Sequence, residues 1–216
     1  MINTQVKYRP RSVKEFVFAN STLESKIAQY TSGNTMTPLV LHGPHGTGKS
    51  LLAELIPKAI DGEGVKVTKV TGEDLNTKKE VRSTFTRSAT FDRLFEVNGQ
   101  SRSYTIVEEV NFETKAKGAL RVAMDEMEGR DLLIFTTNEL DKMDTGLQSR
   151  ANKVEVVAAP PKAFLGRAKF ILAQEGVLVA PELLLEVLES VYDRYQDNRE
   201  YYKALDEIIY RSMACN

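Results

Sequence analysis

The sequence predicts an α/β fold, with a parallel five-stranded sheet carrying helices on both faces, followed by a small all-helical domain. Three observations predict it. Short apolar runs alternate with helical stretches between residues 20 and 157, the pattern of a doubly wound sheet. The run YTIVEEV (104–110) is apolar at consecutive positions, as a central parallel strand buried on both faces should be. Past AAPP (158–161) only helical periodicity remains, which puts a domain boundary near residue 160.

Each element follows from its own composition. NSTLESKIAQYTS (20–32) reads as a helix with a Ser/Thr/Asn start. TPLVLHG (37–43) is a buried strand, and KSLLAELIPKAI (49–60) is the helix after the turn that ends it. VKVTKV (65–70) is the second strand, and NTKKEVRSTFTRSATFDRLF (76–95) is a polar, mostly helical stretch. YTIVEEV is the third strand, TKAKGALRVAMDEMEG (114–129) a helix, and DLLIFTTN (131–138) the fourth strand. GLQSR (146–150) leads into the fifth strand, NKVEVV (152–157). Helices over about 162–175, 181–195 and 199–213 complete the chain. The domains expected are therefore 1–160 and 161–216.

Composition excludes several classes. The 216 residues are 42% hydrophobic and 27% charged, with a formal net charge of −1, so the chain is globular and not a polycation. Its single cysteine, Cys215, forms no internal disulfide, and with His42 and His45 leaves too few soft ligands for zinc. No apolar run reaches the roughly 18–20 residues of a membrane span, and MINTQVKYRPRS lacks a signal-peptide core. A soluble cytoplasmic protein with no membrane partner is expected.

The segment GPHGTGKS (43–50) meets the G-x-x-x-x-G-K-[ST] pattern at every position. Glycines at 46 and 48 allow a backbone that points successive N–H groups inward, forming an anion nest at a helix N-terminus. Lys49 then meets the terminal phosphates and Ser50 ligates Mg²⁺. Gly43, Pro44, His45, Gly46, Thr47, Gly48, Lys49, Ser50 and Leu51 form the nucleotide-holding set of a P-loop NTPase fold.

Glu108 and Glu109 end the third strand, at the sheet edge where ligands bind. Beside a phosphate turn, Glu108 suits the metal and Glu109 the attacking water; alone, they would read as surface acids. Asn138 closes the fourth strand, either to reach the γ-phosphate or its water or to end the strand in a turn. Arg150 suits the charge spreading over a transferring phosphoryl group, in its own site or a neighbour's. Between 66 and 102 eight Lys/Arg face five Asp/Glu. Lys78, Lys79, Arg82, Arg87, Lys115 and Lys117 would either meet DNA phosphates or form solvated helix faces.

Together these motifs resemble the AAA+ ATPases and, more narrowly, clamp-loader subunits. The likeness is carried by KYRP (7–10), GPHGTGKS, IVEEV (106–110), ALRVAMDE (119–126), TTN (136–138), LQSRANKVEV (147–156) and DNREYYKALDEI (197–208). EVRSTFTRSATFD (80–92) is similar to the large subunit of tailed-phage loaders. The resemblance implies that Tyr8, Arg9 and Pro10 lie against the adenine of ATP or ADP, and that ATP binds between the two domains. It implies that Asn138 and Arg199 act as first and second sensors, and that Arg150 acts in trans on a neighbouring AAA+ subunit. Arg121 matches an arginine associated with coupling DNA to the acid pair. The implied function is ATP hydrolysis, weak in the isolated chain, within an oligomer that opens a sliding clamp on primer–template DNA. Two alternatives are a binding module that hydrolyses little and another DNA-directed AAA+ protein, such as a helicase loader or initiator. The sequence departs from the pattern in three places. Glu108 replaces an aspartate, which extends the carboxylate by about 1.5 Å. Ala151 replaces a cysteine. The collar-forming third domain of loader subunits is not among the 216 residues.

Overall fold

The computed structural model describes residues 3–75, 77–85, 102–109, 116–127 and 129–214. The expectations placed on 86–95, Arg87 among them, and on Val110, Lys115 and Cys215 lie outside the described residues.

Five parallel strands form one sheet in the order β2-β3-β4-β1-β5. They are β1 (Leu39–His42), β2 (Thr68–Thr71), β3 (Ser103–Glu108), β4 (Asp131–Thr137) and β5 (Asn152–Glu155). The helices are α1 (Thr4–Lys7), α2 (Ser21–Thr31), α3 (Lys49–Asp61), α4 (78–85), α5 (Lys117–Asp125), α6 (Thr145–Gln148), α7 (Pro161–Gln174), α8 (Pro181–Tyr195) and α9 (Asn198–Ala214). The three central strands are buried along nearly their whole length, which is why they read as unbroken apolar runs. The edge strand β2 alternates half-buried and exposed positions and begins at Thr68, three residues later than expected.

The chain packs as two compact units. One comprises 25–43 and 49–155 and holds the sheet. On one sheet face Val40, Val107, Leu133 and Phe135 pack with Val81, Leu120, Met124 and Leu147. Strand alternation sends Leu39, Leu41, Ile106 and Ile134 to the other face, and α3 contacts β1, β3 and β4. Local signals set the helix starts. Thr77 and Glu80 form a reciprocal capping box at α4, with bonds of 3.2 and 2.8 Å. Asp144 caps α6 by accepting from Leu147 N at 3.1 Å.

The other unit comprises 1–24, 44–48 and 156–216. Proline stands in the first turn of α7 and α8, where its missing N–H is not needed. Phe164, Ile171, Leu184, Leu188, Tyr201, Leu205 and Ile209 form its core, with the Phe164 and Tyr201 rings stacked at 4.5 Å. Helix α9 buries Tyr202, Leu205 and Ile209 along one stripe, while Met213 is exposed. Helix α1 docks on α9: Thr4 N donates to Asp206 Oδ1 at 2.9 Å, and Thr4 Oγ1 donates to Tyr202 O at 3.1 Å.

Candidate active site

The turn between β1 and α3 has left-handed backbone at Gly46 (φ 73°) and Gly48 (φ 97°). A side chain would also collide there. A Cβ on Gly46 would lie 1.8 Å from Asp197 Oδ1, and one on Gly48 would lie 2.8 Å from Phe16 Cε2. The conformation favours glycine at both positions, and a Cβ there would also force the Asp197 or Phe16 side chain to move. Thr47 is fully buried and its hydroxyl donates to Pro44 O at 3.0 Å, bracing the turn. Lys49 is buried, and its ammonium donates to Gly43 O at 2.8 Å. Pro44, His45 and Ser50 are exposed, and Leu51 is half-buried.

The strand register gathers the next residues. β4 lies between β1 and β3, with His42 level with Thr137 and Val107 level with Phe135. Gly43, Glu108, Glu109 and Asn138 thus reach the same carboxyl edge of the sheet, where open parallel sheets bind ligands. Glu108 is half-buried and Glu109 is exposed. Glu109 adopts a left-handed backbone (φ 48°) that a non-glycine residue takes at a cost. Asn138 is half-buried just beyond β4, where the Thr137 hydroxyl accepts from Glu139 N at 3.1 Å and shapes the turn.

Arg150 makes a two-pronged ion pair with Asp125 on α5. Its Nε lies 2.7 Å from Oδ1 and a terminal nitrogen lies 2.9 Å from Oδ2, while the other terminal nitrogen donates to Gly146 O at 2.8 Å. Arg121 grips Asp144 in the same way, at 2.9 and 2.5 Å. Each arginine holds its partner carboxyl below the usual carboxylate range.

In the unit that contains the N-terminus, Tyr8 donates its hydroxyl to Glu175 Oε1 at 2.6 Å, and Arg167 donates to Tyr8 O at 2.5 Å. Lys7 and Tyr8 together hold the Glu175 carboxyl low. Pro10 is buried and Arg9 exposed. Arg199 lies exposed in the first turn of α9, and its guanidinium has no ion-pair partner among the described residues. Reading the sequence for site residues missed Asp197 and Asn198, which touch the phosphate turn, and Asp125, which holds Arg150. The first two stand immediately before Arg199, so their only signal was that neighbour.

The donor set fits a triphosphate and a hard cation. The turn takes left-handed backbone at Gly46 and Gly48, which lets successive N–H groups converge on an anion, and the buried Lys49 ammonium lies at its first carbonyl. The Ser50 hydroxyl and Glu108 carboxylate are oxygen donors of the kind Mg²⁺ takes alongside phosphate oxygens and water. Among the described residues no cluster of three or more His, Cys, Asp or Glu could hold a metal ion by itself. No helix among them is long and apolar enough to cross a membrane.

Comparison with known proteins agrees with this geometry. Replication factor C small subunit 2 of Pyrobaculum islandicum is 27% identical over 203 residues, covering 92% of this chain and 61% of that protein. Probable replication factor C subunit 5 of Dictyostelium discoideum is 24% identical over 188 residues, covering 85% and 53%. The chain thus spans about 61% of the length of the first of these relatives. Among solved structures, a Thermotoga maritima RuvB variant superposes with a TM-score of 0.72 at 15% identity, covering 96% of this chain and 72% of that one, a likeness of fold. The sequence pattern of the ATPase family associated with various cellular activities (AAA) matches residues 39–159. That match takes in β1, the phosphate turn, the acid pair, Asn138 and Arg150, more than half of the chain, and the chain therefore belongs to the AAA family of ATPases.

Proposed function

We propose that this chain is a clamp-loader-type AAA subunit that binds ATP with Mg²⁺ and hydrolyses it within an oligomer, acting on a sliding clamp and primer–template DNA in replication. The observation that carries the nucleotide reading is the phosphate turn, with its two left-handed glycines and its buried lysine. The clamp-loader reading draws on the similarity to replication factor C subunits. The finer likeness to phage large subunits draws only on the stretch at 80–92, most of it outside the described residues.

In this reading residues 1–160 form the nucleotide-binding domain and 161–216 the lid. Tyr8, Arg9 and Pro10 receive the adenine, and the N–H groups of residues 46–50 with the Lys49 ammonium receive the phosphates. Ser50 and Glu108 hold Mg²⁺, which supplies charge neutralisation at the transferring phosphoryl group. Glu109 orients and deprotonates water, Asn138 holds that water or the γ-phosphate, and Arg199 senses phosphate from α9. A neighbouring subunit contributes Arg150. An arginine supplied in trans is worth about 10³–10⁵ in rate, so the isolated chain should turn over slowly.

A second reading, a nucleotide-dependent binding module with little hydrolysis, is favoured by the occupied state of Arg150. Its guanidinium is engaged by Asp125 and Gly146. Comparing Glu109→Gln with wild type for ATP binding and phosphate release separates the two. Retained binding with lost turnover supports the ATPase. Retained binding in both proteins, with no turnover in either even when assembled, supports the module. Pull-down of a sliding clamp with and without ATP tests the clamp assignment, and failure to capture it in either state would remove that assignment.

A further inference from the structure

Asn198, the first residue of α9, grips the phosphate turn at two successive carbonyls. Its backbone N–H donates to Gly46 O at 3.2 Å, and its side-chain Nδ2 donates to Thr47 O at 3.2 Å. Its Oδ1 accepts from Ala159 N at 2.9 Å. The Tyr201 hydroxyl donates to Ala159 O at 2.9 Å, which fixes that peptide from its other side. Asp197, one residue earlier, packs on Gly46 so closely that a Cβ there would have to push its carboxylate aside. It also accepts from Arg199 N at 2.7 Å.

The consequence follows from peptide geometry. In a planar trans peptide the C=O of one residue and the N–H of the next point in opposite directions. Pinning the Gly46 carbonyl toward Asn198 therefore turns the Thr47 N–H away from it, and pinning the Thr47 carbonyl does the same to the Gly48 N–H. These are the N–H groups a phosphate-binding turn must aim inward. We infer that Asn198 is a positioning residue that preorganises the phosphate turn for the β- and γ-phosphates, and that it ties this turn to the start of α9, one residue before Arg199. This rests on the nucleotide-binding reading above. The asparagine is suited to the task because its amide both donates and accepts, and neither leucine nor aspartate can reproduce both bonds.

The test uses the whole 216-residue chain with ATP, ADP and adenosine, with Mg²⁺ present, in titration calorimetry or by displacement of a fluorescent nucleotide. Asn198→Asp keeps an acceptor for Ala159 N but loses the Nδ2 donor. Asn198→Leu loses both bonds and adds no charge. Both variants should bind ATP and ADP roughly five- to tenfold more weakly, the scale of one net hydrogen bond, with adenosine binding unchanged. Parallel loss of adenosine would mark a general structural defect and overturn the inference, as would an Asn198→Leu variant that binds ATP like wild type. Should Asn198→Leu fail to fold, Asn198→Asp at about 1 M salt decides, because added charge is then screened over about 3 Å. A loss that persists there supports the donor, and one that vanishes overturns it. A wild-type chain that takes up no adenine nucleotide defeats the nucleotide reading itself, whereas wild-type uptake matched by both variants defeats only the role of Asn198.

Discussion

Arg150 and Asp125 face each other fork to fork, with bonds of 2.7 and 2.9 Å, so the arginine proposed to serve a neighbour is held by a carboxylate of its own chain. Transfer to a neighbour's phosphate requires this pair to open. The pair is half-exposed on the Asp125 side, where ion pairs contribute little to stability and opening is easy.

Asp125→Ala should therefore raise ATPase activity under assembling conditions by roughly two- to tenfold, because it removes a competing state from the arginine's equilibrium. The thermal midpoint should stay close to that of wild type. Phosphate release measured against protein concentration checks this. Arg150→Ala should lower the assembled rate by about 10³–10⁵, and an unchanged rate would exclude the in-trans role.

Asp144 caps α6 and pairs with Arg121, and its carboxyl lies below the usual range chiefly because of that arginine. A depressed folded value contributes stability above the unfolded value that is lost as pH falls through the folded one. Asp144→Asn keeps a capping side chain but removes the charge. It should lower the thermal midpoint near pH 7 by roughly 2–4 °C, with the gap closing below about pH 4. Melting curves from pH 7 to pH 2 check the convergence, and a gap that widens on acidification would contradict it.

Gly46→Ala meets both a left-handed φ and the Asp197 carboxylate. The conformation alone costs about 1–2 kcal/mol, so the variant should be less stable and should lose nucleotide uptake. Asp197→Gly in the same chain should recover part of the stability, since only the collision is relieved. Denaturant midpoints of the single and double variants measure this.

The sheet was legible because its central strands are covered on both faces and so appear as unbroken apolar runs, as at Leu39–Leu41 and Leu132–Phe135. Strand β2 was expected three residues early because the alternation of VKVTKV starts at Val65, whereas pairing with β3 starts at Thr68. The four-residue α1 escaped notice because its anchors are distant, Thr4 reaching Asp206 and Tyr202. Glycine and lysine spacing made the phosphate turn readable. The grip of Asn198 on Thr47 spans 151 positions, and the Arg150–Asp125 pair spans 25. Neither separation follows a helix or strand period, so only the folded chain reveals them.

Calorimetric titration of ATP into the folded chain, with and without magnesium and beside Lys49→Ala, tests nucleotide capture most directly. One-site uptake in wild type is expected, with affinity roughly ten- to hundredfold lower in Lys49→Ala, the scale of a lost charge-assisted bond. No uptake at millimolar ATP, or a Lys49→Ala variant that binds like wild type, would contradict the assignment of the 43–50 turn as a phosphate cradle.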